Sequence, residues 1–103
     1  MKRGEIVNVM WKTSSKQEVG TYINIAVEEA EKHNVVYKNY FVNHLNVKTQ
    51  QMNQNAFDTL LKKAGITDKD YSKLLCKQVV FDTATSFVNG KEYENITRIY
   101  IAM

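Results

Sequence analysis

Asn89-Gly90 falls between two runs rich in β-branched and aromatic residues, Gln78 to Phe87 and Glu92 to Ala102. Both members of an Asn-Gly pair accept positive φ at low cost, which the centre of a two-residue hairpin demands. The flanking runs therefore read as an antiparallel pair. Ile99 and Ile101 alternate against Arg98 and Tyr100, the period of two that a half-buried strand requires. Phe81 and Phe87 in the first run read as core.

Three earlier segments carry the same signal. Residues 4–12 are rich in β-branched and aromatic types. After a polar turn, Val19 to Val27 places Thr21, Ile23, Ile25 and Val27 on one face and Tyr22, Asn24 and Ala26 on the other. Val35 to Asn43 is the third strand. One stretch conflicts: "NIAVEEAEKH" is built of helix formers, and Ile23, Val27 and Ala30 share a helical face. We read it as strand running into a polar turn over 29–34; a helix there would give an α+β sheet instead.

Between the third and fourth strands, Phe57, Leu60, Leu61 and Ala64 make one apolar stripe at helical spacing. Asn53 or Asn55 is the expected cap, and Gly65 suits the left-handed position past the end. A second short helix follows, capped by Thr67 or Asp68, with Tyr71, Leu74 and Leu75 facing inward. Strand, strand, strand, helix, strand, strand is the order of an OB-fold, a five-stranded Greek-key barrel. The expected organisation is one OB-like domain over residues 1–103.

Composition narrows the function classes. The net charge of +3, from 14 basic and 11 acidic residues, permits a polyanionic partner without demanding one. A single cysteine, Cys76, allows no internal disulfide, fits a reducing cytoplasm and reads as a buried structural thiol. No apolar run reaches membrane-spanning length, so no membrane partner is expected. His33 and His44 are too far from each other and from Cys76 to suggest zinc. No phosphate loop, dinucleotide fingerprint or nucleophile elbow is present. The expectation is a non-catalytic protein without cofactor or metal.

Three stretches carry a family resemblance. "VVYKNYFVN", a helix ending "LLKKAGI", and "LLCKQVVFDTATSFVNGKEYENITRIYIA" together resemble the C-terminal two-thirds of small phage-type single-stranded-DNA-binding proteins. Cys76-Lys77-Gln78 departs from that family, which often has Gly-Lys-x there, and the N-terminal third matches only as two strands. The resemblance implies DNA replication or recombination of a phage or other mobile element, by coating single strands. It also implies a homo-oligomer or a partner polymerase, helicase or recombinase.

Sequence-independent single-strand binders combine cations with aromatic platforms. Candidate rings are Trp11, Tyr22, Tyr37 and Tyr40, with Tyr93 and Tyr100 behind them; candidate cations are Lys38, Lys12 and Arg98, then Arg3, Lys16, Lys48 and Lys91. Alternation in the third strand puts Val36, Lys38, Tyr40 and Val42 on one face and Val35, Tyr37, Asn39 and Phe41 on the other. Because lysine is rarely buried, the Lys38 and Tyr40 face is expected outside and Tyr37 and Phe41 inside. Tyr40 is then the leading stacking candidate. Single-stranded DNA and RNA both fit. A rival reading is a small module that binds a partner enzyme, such as a polymerase, helicase or host defence protein, since exposed tyrosines also suit protein interfaces. The terminal "ITRIYIAM" reads as strand, so partner recruitment is expected to use the folded body, or the chain is itself the accessory subunit of a polymerase or helicase.

Overall fold

The computed structural model describes residues 1–13, 21–42, 46–68 and 70–102. Its elements are β1 (Lys2–Thr13), β2 (Thr21–Glu29), β3 (Val35–Phe41), α1 (Val47–Lys63), a 3-10 turn (Tyr71–Leu74), β4 (Gln78–Val88) and β5 (Lys91–Ile101). The strands close in the ring β1-β2-β3-β5-β4, with β4 returning to β1, an OB-like barrel in the expected order. The ambiguous stretch is strand as far as Glu29. Its inward residues Ile23, Ile25 and Val27 join Ile6, Val36, Val79 and Phe81 in the core, a burial that outweighs local helix propensity.

β1 pairs with β2 from Gly4 to Thr13 and bulges at Val7, where the register slips between Ile6 and Asn8. Gly4 has to be glycine: a Cβ there would meet the Glu28 carbonyl oxygen at 2.5 Å. Lys2 Nζ donates to Glu94 Oε1 at 2.6 Å and lies 3.9 Å from buried Glu29 Oε2, tying β1 to β5 and β2. That hydrogen bond holds the Glu94 carboxyl below its ordinary value.

α1 begins earlier than the sequence suggests. Asn46 is its cap, accepting from Thr49 N at 3.1 Å. Asn53 sits inside the helix instead and donates to the Thr49 carbonyl four residues back. The C-terminus is as expected. Gly65 takes φ +78°, and the bonds Gly65 N to Lys62 O and Ile66 N to Leu61 O close a Schellman motif. Phe57, Leu60 and Leu61 lay their stripe over the barrel.

The second short helix is a single 3-10 turn capped by Asp70, which accepts from Ser72 N, rather than by Thr67 or Asp68. Leu74 is fully buried, but Leu75 ends the turn in extended backbone and is exposed. Cys76 is also exposed, contrary to expectation. Its φ of +68° is imposed by two bonds to β1, Cys76 N to Ile6 O and Ile6 N to Lys77 O. Asn89 and Gly90 adopt φ +52° and +78° and make the expected hairpin turn. Phe87, expected in the core, is 73% exposed. Beyond the β1 and β3 pairings, β4 and β5 ladder, among the described residues, only to each other and leave the barrel as a two-stranded ribbon.

Candidate nucleic-acid interface

Register builds the site. β2 lies between β1 and β3, and its outward residues align across all three strands. Lys12, Tyr22 and Phe41 form one row, Met10, Asn24 and Asn39 the next, and Asn8, Ala26 and Tyr37 the third. The Tyr22 and Phe41 rings meet edge to face with centroids 6.1 Å apart. Asn24 Nδ2 donates to Asn39 Oδ1 at 2.7 Å, giving a polar floor between that ring pair and Tyr37. Tyr37 is 46% exposed, and Lys12 and Met10 are exposed. β2, the middle strand of this face, is laddered on both sides, to β1 and to β3, so along it side chains alone are offered to a ligand.

This arrangement reverses the expected faces of β3. Tyr40 is 3% exposed and pairs in register with the inward Ile23. Its ring packs on Phe57 at 5.2 Å, and burial pushes its hydroxyl well above the ordinary tyrosine value. Tyr40 is therefore unavailable for stacking on a nucleobase. Lys38 shares the inward register with Ile25 and lines the opening between β3 and β5, where its ammonium lies over the Tyr40 ring, 5.4 Å from the centroid. Tyr37 and Phe41, expected inside, are the outward residues. The hairpin itself held the missing signal. Once Ile23, Ile25 and Val27 are inward on β2, the residues opposite them, Tyr40, Lys38 and Val36, must be inward too.

Trp11 lies in the inward register with Ile23, yet it extends past the barrel wall and is 47% exposed. Its ring stands edge-on to Tyr71 at 5.7 Å, and Tyr71 in turn meets Phe57 at 6.2 Å. These rings border a 320 Å³ pocket between the barrel and α1 that Phe41 also lines, so Trp11 adjoins the Lys12–Tyr22–Phe41 row. Arg98 and Tyr100 are exposed but stand elsewhere, along a 470 Å³ groove between β3, β5 and α1. The sequence candidates thus divide between two surfaces. Lys16 and His44 lie outside the described residues.

Among the described residues no three His, Cys, Asp or Glu side chains converge as metal ligands, and no helix is long and apolar enough to cross a membrane. Comparison of the chain with protein-family models and with curated proteins gives no match.

Proposed function

We propose that this chain is a non-catalytic single-stranded nucleic-acid-binding protein, or an accessory subunit, serving replication or recombination of a phage or mobile element in the cytoplasm. The observation that carries this reading is the outward row Lys12–Tyr22–Phe41, with Tyr37 two rows along the same barrel face. Half-buried Tyr22 and Phe41 together with exposed Tyr37 give bases a stacking surface, each stacked base contributing about 1–3 kcal/mol. Lys12 stands at the row's end, where a backbone phosphate can be met. Asn8, Asn39 and the half-exposed Trp11 extend the face. The pattern tolerates any base, since every base has a π-face, and the phage-type resemblance of the C-terminal two-thirds agrees with it.

The test is fluorescence anisotropy of a labelled ~30-mer oligo-dT at low and high salt, with duplex as competitor. The expected result is binding that weakens steeply with salt and ignores duplex. Absence of binding at low salt would remove the reading.

A further inference from the structure

The groove between β3 and β5 has no part in that reading, and its construction differs. The barrel closes there by one parallel residue pair, Tyr37 with Asn95. Beyond it β3 follows β2, while Arg98 to Ile101 of β5 ladder only to β4. Among the described residues that stretch of β5 is a free strand edge, offering N–H and C=O groups in alternation. It faces a 470 Å³ groove floored by Tyr40, Leu60, Ile99 and Ile101. Three cations, Lys38, Lys63 and Arg98, line the groove and no carboxylate does. None of the three forms an ion pair among the described residues. Lys38 is the telling one. It is half-buried in an inward register with the Tyr40 ring 5.4 Å from its ammonium, and desolvation pulls that ammonium below the ordinary lysine value with no anion beside it among the described residues.

We propose that this groove docks an extended acidic segment of a partner protein, which adds a strand to the free edge of β5 and sets its carboxylates among Lys38, Lys63 and Arg98. Strand addition takes its affinity from main-chain hydrogen bonds and its specificity from alternate side chains. Four residues of free edge span about 13 Å, enough to pair a short segment. Alternating acidic and apolar side chains match the two linings, cations at the rim and aliphatic groups on the floor. A nucleic-acid strand fits less well. Its phosphates only accept hydrogen bonds, so the outward carbonyls of β5 would face like partners. The inference stands apart from the single-strand reading, because it uses none of the residues on the outer face.

The probe is a labelled peptide of about eight residues alternating aspartate with isoleucine, long enough to cover that edge. It is titrated into the full chain and into the double variant Lys63→Glu/Arg98→Glu. Both side chains are exposed, so the variant should melt as the parent does. The expected result is binding by the parent, about tenfold or more weaker in the variant, with oligo-dT affinity unchanged. Two further peptides are N-methylated at alternate residues, one on the odd set and one on the even set. One should bind and the other should not, because only one set of amides can face β5. No peptide binding by the parent, unchanged binding by the double variant, or equal behaviour of the two methylated peptides would overturn the proposal. Loss of oligo-dT binding in the double variant would assign the cations to nucleic acid and overturn it as well.

Discussion

The outer face of β1–β2–β3 and the groove between β3 and β5 use the same vocabulary, aromatic rings beside basic side chains. They differ in what the backbone beneath them is doing. Under the outer face the β2 main chain is fully engaged, with neighbours on both sides from Tyr22 to Glu28, so recognition rests on rings and one cation. Along the groove, β5 keeps a partner on one side only, so its main chain is available. An aromatic beside a lysine therefore does not name a ligand. Whether the neighbouring peptide groups are already paired decides between a surface for stacking and an edge for strand addition.

The largest expected effect joins the two regions. Tyr40 lines both cavities and packs on Phe57, so Tyr40→Ala should cost about 3–5 kcal/mol of stability in urea unfolding. A variant that melts normally and loses only oligonucleotide binding would return Tyr40 to the surface and dissolve the comparison. Next is Tyr22→Ala, which should weaken oligo-dT binding by about 1–3 kcal/mol and leave acidic-peptide binding alone. Cys76→Gly is the control: it relieves a left-handed backbone at an exposed site and should raise stability by up to about 1 kcal/mol, measured by denaturant midpoint, with both ligands unaffected. The smallest effect belongs to Lys12→Ala. Removing one phosphate contact to a single strand should lower the log–log salt slope by about 0.7, whereas Lys38→Ala should leave that slope in place.

Strand order, the Asn89-Gly90 turn and the Gly65 helix stop were legible in the sequence because each rests on local chemistry. Period-two alternation fixes a strand wherever it falls, and positive φ selects Gly or Asn nearly independently of context. What escaped was relational. The faces of β3 depend on its register with β2, and the rule that lysine stays outside gave the wrong answer beside the opening between β3 and β5. Phe87 looked like core because its strand is regular, but the barrel ends before it. Leu75 and Cys76 looked buried beside Leu74, but the turn through them reverses the chain. Cys76 holds a left-handed backbone conformation that glycine adopts without strain. Of the seven leading site candidates, Lys12, Tyr22 and Trp11 adjoin the outer face, Lys38, Arg98 and Tyr100 border the groove, and Tyr40 lies between them in the core.

The most direct test sets one ligand against two variants of opposite placement. A labelled ~30-mer oligo-dT is titrated at low salt into Tyr22→Ala/Tyr37→Ala and into Lys63→Glu/Arg98→Glu, after both are shown to melt as the parent does. A loss of about tenfold or more in the first, with parental affinity in the second, is what the outer-face account predicts. Parental affinity in the first with loss in the second would contradict it and move the nucleic acid into the β3–β5 groove.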